Sequence, residues 1–172
     1  MDNKRFEALG ARPSVDNVLG RVQMHHVQLS SLADTKAGLL ITISSIVLTI
    51  ALTRTWEAMV RPAVVTLAAA SLISLLLAIV AVLPTFAGGR RASGRNLLFF
   101  GHFGALSEDE FLDEMTRVLS TDQTLYETAL RDIYSHGKYL YRKKYRFLRY
   151  AYVALLAGFI LATAVEVWVI AF

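Results

Sequence analysis

Three strongly apolar runs, 37–52, 62–83 and 150–172, decide what this chain can fold into. A helix rises about 1.5 Å per residue, so runs of this length match a hydrocarbon core of about 30 Å. The first run is short for a span, and Ala33 and Thr53 help to complete it while its flanks snorkel. The chain has 172 residues, 55% of them hydrophobic, and they are gathered in these blocks instead of being spread periodically as in a soluble domain. The expectation is an all-α integral membrane protein. Three transmembrane helices carry a cytoplasmic helical region made of the N-terminal helix and the segment between the second and third spans.

Taken in order, residues 1–13 read as a mobile N-terminus, and the opening Met1–Phe6 lacks the apolar core of a signal peptide. Residues 14–36 read as a cytoplasmic amphipathic helix capped by Ser14, with Val15, Val18, Val22, His25, Leu29 and Leu32 forming a heptad-like stripe. Residues 37–84 form a transmembrane hairpin, turned at 53–61 with Trp56 as an interfacial anchor, and Pro62 suits the first turn of the second span. Residues 85–149 form the cytoplasmic helical region. It starts with the basic connector Gly88–Arg95. Ser107 and Glu110 then make a capping box for a short acidic helix through about Leu119. A second start at Thr121-Asp122 opens a helical pattern that runs to Phe172, of which 150–172 is the third span. Ile133, Leu140, Phe147 and Leu148 give this helix an apolar side that can pack on the N-terminal helix.

Charge sets the expected orientation. Five Lys and Arg fall in residues 1–36 and eleven in 84–149, against only Arg54 and Arg61 in the turn. The positive-inside rule puts the N-terminus and 85–149 in the cytoplasm and the C-terminus on the far side. The net charge of +4 suits a membrane surface better than a nucleic acid polymer, because the basic residues flank the apolar runs. With no cysteine there is no disulfide or thiolate site. His25 and His26 are adjacent and point about 100° apart on a helix, and His102 and His136 lack ligand spacing, so no metal site is expected. No catalytic constellation or phosphate-binding fingerprint occurs, and no enzyme is expected.

Each span carries a stripe of small residues: Gly38, Thr42, Ser45 and Thr49; Thr66, Ala70, Ser74 and Ala78; Ala154, Gly158, Ala162 and Glu166. Such stripes let helices approach closely, within one protomer or between protomers, or line a polar path. Thr42, Ser45, Thr49 and Glu166 are the intramembrane polar residues to follow. Glu166 lies within the hydrocarbon half, where a carboxylate costs a few kcal/mol unless protonated, wetted or paired, with Arg54 or Arg61 within reach as partners. Three short spans cannot enclose a water path alone, so a pore requires a homo-oligomer.

Asn96–Gly104, with three phenylalanines in five residues, is too apolar for an exposed loop. It must bury itself against a helix, another subunit, the membrane surface or a planar ligand. An amide that reads a base edge, rings that stack and nearby cations that neutralise phosphate make a small nucleotide one such ligand.

Ala33-Asp34-Thr35-Lys36-Ala37, Asn96–Phe103, Asp132-Ile133-Tyr134, Gly137-Lys138, Lys144-Tyr145, Leu148-Arg149 and Ala151-Tyr152 stand in an order around the spans that resembles the transmembrane effectors of bacterial Pycsar anti-phage systems, the PycTM family, over residues 30–160. The resemblance implies a companion cyclase that makes cyclic UMP or cyclic CMP, and an inner-membrane effector that senses it and impairs the membrane. The candidate ligand-binding residues are then Arg95, Asn96, Phe99, Phe100, His102, Tyr134 and Lys138, with Asp34 and Lys36 coupling at the membrane mouth. A scaffold that recruits a protein partner through its cytoplasmic helices is the other reading the residues leave open.

Overall fold

The protein is described here by a computed structural model covering residues 10–54, 61–84, 97–99, 103–104 and 106–172. The N-terminal segment through residue 9, the turn holding Trp56 and the connector Gly88–Arg95 lie outside these residues. Among the described residues every regular element is helical, and three helices are long and apolar enough to cross a membrane. The elements are α1 (Pro13–Arg54), α2 (Pro62–Val82), α3 (Glu108–Leu119), α4 (Asp122–Tyr139), a π-helical segment (Leu140–Tyr145) and α5 (Arg146–Ala171).

Local chemistry accounts for the ends. α1 starts at Pro13, one residue ahead of the expected Ser14 cap, because a proline ring suits the first helical position. The Arg12 carbonyl accepts from the N–H of Val15 at 2.9 Å and of Asp16 at 3.2 Å. The capping box of α3 is present: Glu110 N–H donates to Ser107 Oγ at 3.3 Å and Ser107 N–H to Glu110 Oε2 at 3.0 Å. Thr121 Oγ1 accepts from Thr124 N–H at 3.2 Å and opens α4. From Asp122 the chain stays helical to Ala171, and the π segment is the feature that no sequence pattern announces.

Two compact units emerge, one from 1–28 with 84–139 and one from 29–83 with 140–172. Residues 29–36 and 140–149 fall in the second unit with the three apolar helices. In the first unit, Tyr126 is buried and its hydroxyl donates to Asp16 Oδ1 at 2.7 Å. Ala11 N–H donates to Asp122 Oδ2 at 3.1 Å. With the stacked pair of His26 and His136, these bonds show α1 and α4 running parallel. The stripe expected on α1 is displaced by one position. Leu19, His26 and Ala33 turn inward with Val15, Val22 and Leu29, while Val18, His25 and Leu32 are exposed. In the first unit the inward face of α1 is set by its pairing with α4 at Asp16–Tyr126 and His26–His136, not by side-chain bulk.

In the second unit, Ala33, Ala37 and Leu40 of α1, Ala78 of α2, and Leu148, Ala151 and Leu155 of α5 form one core. Ser44 Oγ donates to Ser74 Oγ at 3.1 Å, a bond between two fully buried hydroxyls. Leu39, Ile43, Ile46, Leu72, Leu76, Val153, Leu156 and Ile160 point outward, an exposed apolar surface that suits a bilayer and not water. The small-residue stripes of the second and third spans face each other. A methyl group added at Gly158 would collide with the Ala70 side chain and stand 3.6 Å from the Ala70 backbone. The first stripe is turned outward in large part: Gly38, Thr42 and Thr49 are exposed and Ser45 is half-buried.

Gly158→Ala is expected to lower stability in detergent by about 1–3 kcal/mol through overpacking, read by thermal unfolding. Adding Ala70→Gly should restore most of the loss, because the new methyl then meets only backbone, at an ordinary van der Waals distance. A double variant no better than the single one would refute this close approach. In the first unit, the bond to Asp16, then burial and the Asp16 charge, raise the Tyr126 phenol above its usual value. A raised folded value contributes stability that is complete below about pH 10 and lost as the pH climbs through the folded value. An absorbance titration should show a tyrosinate transition above about pH 10 that Tyr126→Phe removes.

Candidate functional site

The first unit holds a cleft of about 510 Å³, within the range of small-molecule sites. α1 supplies Gln23, His26 and Val27, α4 supplies Asp132, Ile133 and His136, and the aromatic segment supplies Leu98, Phe99 and Phe103. The imidazoles of His26 and His136 stack with centroids 5.9 Å apart and planes 17° from parallel. Gly137 makes this possible, since a Cβ there would lie 3.3 Å from His26 Cε1. Phe103 also packs on Phe111 of α3 at 5.1 Å, which ties the aromatic segment to the capped helix. His26 Nδ1 is buried with no hydrogen-bond partner among the described residues. Such an orphaned polar atom is uncommon, and in a cleft wall it favours a polar ligand. Rings, imidazoles, one amide and one carboxylate together offer stacking faces and hydrogen-bonding edges.

A second cleft of about 440 Å³ lies across Leu97 and contains Arg117 and Arg131. Arg117 pairs with Glu114, and Arg131 donates from Nε and Nη2 to Glu127 Oε1 at 2.8 and 2.6 Å. A phosphate there must displace a carboxylate, and among the described residues no aromatic ring lines it. The aromatic cleft is the better ligand site.

The second unit contains a charged clamp beside the spans. Lys144, in the π segment, is buried. Its Nζ donates to both Asp34 carboxylate oxygens at 2.7 Å and to Ser30 Oγ at 2.8 Å. Next to it, the Tyr145 hydroxyl donates to the Leu29 carbonyl at 3.1 Å. The ammonium thus has a partner for each of its protons.

The sequence model of the Pycsar effector protein domain family matches residues 18–171. The chain belongs to that family. No curated protein and no solved structure matches it. As a Pycsar effector with three membrane-spanning helices, it is a membrane protein of anti-phage defence.

Of the residues singled out in the Pycsar effector's sequence, Arg95, Asn96, Phe100 and His102 lie outside the described residues. Phe99 lines the aromatic cleft. Tyr134 and Lys138 do not line it: Lys138 Nζ sits 5.4 Å from the centroid of the exposed Tyr134 ring. Asp34 holds Lys144, while Lys36 is exposed. Thr42 and Thr49 donate to the carbonyls of Gly38 and Ser45 one turn earlier, at 3.0 and 2.9 Å. Glu166 pairs with Arg61 at the start of α2.

The residues that sequence reasoning missed are Gln23, His26, Asp132, His136 and Lys144. Gly137 was the available signal, because a glycine inside a helix often marks the close approach of another group.

Asp34→Asn removes the anion from a buried ammonium and is expected to cost about 1–3 kcal/mol, since Asp34 itself is half exposed. Lys144→Met in that background should recover much of it, because an apolar side chain replaces the uncompensated charge. Thermal unfolding of the two variants checks this. A double variant less stable than Asp34→Asn would contradict it.

Proposed function

We propose that this protein is the membrane effector of a cyclic-nucleotide anti-phage system, sensing a cyclic pyrimidine mononucleotide and impairing the inner membrane to arrest growth. The observation that carries the reading is the cleft built from Phe99, Phe103, His26 and His136 in a Pycsar effector that spans the membrane. A pyrimidine is a flat π-system that stacks on aromatic faces, with about 1–3 kcal/mol lost per base when such a face is removed. Gln23 and Asp132 offer an amide and an acceptor to a base edge, and the imidazoles offer donors to a cyclic phosphate.

On this reading the effector works without catalysis. Its N-terminus and 85–149 face the cytoplasm, where the nucleotide is made, and the C-terminus faces the periplasm. The protein assembles as a homo-oligomer, because a water path needs more than three spans. The helix that carries Gln23 and His26 also carries the first span, so ligand has a continuous element through which to act. It shifts the resting and active states only by the difference in its affinity for them.

Calorimetry on the full-length protein in detergent tests the reading, with cyclic UMP, cyclic CMP, cyclic AMP and cyclic GMP as ligands. The expected result is selective binding of one pyrimidine nucleotide, weakened roughly tenfold or more in Phe99→Ala, which follows from the loss of one stacking face. Folded protein that binds none of the four would overturn it and favour a scaffold for a protein partner.

A further inference from the structure

A third cleft, of about 700 Å³, lies in the second unit at the entry to the third span. It is lined by Tyr141, Arg142, Tyr145, Arg146, Arg149 and Tyr150, three guanidinium groups and three phenols within ten residues. Among the described residues no carboxylate lines it, and none of the three arginines makes an ion pair. The one acid on the adjoining stretch of α1, Asp34, is committed to Lys144. The cleft is therefore a concentrated positive charge without internal compensation.

Its shape and position give that charge a direction. The Tyr145 ring is pinned by its hydroxyl to the Leu29 carbonyl, so one wall is fixed. Arg146 Cζ lies 5.8 Å from the Tyr150 ring centroid, which holds a second guanidinium against an aromatic face. Beyond Arg149 the same side of α5 continues at three- and four-residue steps through Val153, Leu156 and Ile160, all exposed. A polar cradle thus opens directly onto an apolar track.

We infer that this cleft is a binding site for an anionic phospholipid, with the headgroup phosphate held by Arg142, Arg146 and Arg149 and an acyl chain laid along Val153, Leu156 and Ile160. Guanidinium forks match phosphate oxygens two at a time, and tyrosines favour the headgroup level of a bilayer. Clusters of basic residues immediately beside a span bind anionic lipids. A free phosphate shares the headgroup chemistry but has no use for the apolar track, which is why the lipid is the occupant. The inference does not depend on where the nucleotide binds.

Native mass spectrometry of the full-length protein in detergent tests it, with phosphatidylglycerol and phosphatidylcholine of the same acyl chains. The expected result is one retained phosphatidylglycerol per protomer and about tenfold less phosphatidylcholine, the discrimination that paired guanidinium–phosphate contacts provide. Arg146→Gln with Arg149→Gln should lose about tenfold in retention, and the charge-preserving pair Arg146→Lys with Arg149→Lys about threefold, since lysine lacks the fork. Should the glutamine variant fail to insert, the lysine variant decides the matter. Equal retention of the two lipids, or wild-type retention by the lysine variant, would overturn the site. So would displacement of phosphatidylglycerol by inorganic phosphate or by a cyclic nucleotide, which would make the cleft a site for a soluble anion.

Discussion

A buried ammonium has to be answered by an anion, and α1 is tied to the π segment that leads into the third span by one such answer, Lys144 on Asp34. The π segment is what turns Lys144 inward. Leu140, Lys144 and Leu148 are all buried and recur every four residues. On a regular α-helix each four-residue step drifts about 40°, so the third would have rotated roughly 80° from the first. Widening the helix over Leu140–Tyr145 keeps all three on the inner side. The clamp and the irregularity are one device, set beside the core that holds Ala33, Ala37 and Leu148.

Away from the clamp, attraction between the spans comes from close packing, since lipid tails are as apolar as the side chains they surround. The Gly158–Ala70 approach and the Ser44–Ser74 bond use the second and third small-residue stripes inside the protomer. The first stripe is spent differently. Thr42 and Thr49 return their hydroxyls to their own helix, so they meet lipid, or a second copy, without an unsatisfied donor.

What was legible in the sequence is what local chemistry determines. The spans follow from apolar runs, the start of α3 from Ser107 and Glu110, and the start of α4 from Thr121. Phe99 stood out because an aromatic segment in a polar stretch needs a burial place. His26 and His136 did not stand out, because they meet only through the parallel pairing of α1 and α4, which no spacing within either helix encodes. The same pairing puts Leu19 and His26 on the inner side of α1 in place of Val18 and His25. Lys144 is set apart from its neighbours Arg142 and Arg146 by its burial against Asp34, a contact that no local pattern in its own helix encodes.

Glu166 shows how a structural contact restricts a functional idea. An acid within a span invites a role in ion passage, but here it is bound to Arg61, at the first turn of α2. The pair needs no water path to be tolerated, because each charge compensates the other at the end of its span. A polar path lined by Glu166 would have to part it from Arg61, whose guanidinium is exposed and can turn to water. A conducting state that uses this acid is therefore one in which the Arg61 side chain has left Glu166, by turning to solvent or by a shift of α2 against α5. The tight approach of Gly158 to Ala70 opposes that shift as long as the two helices stay packed there.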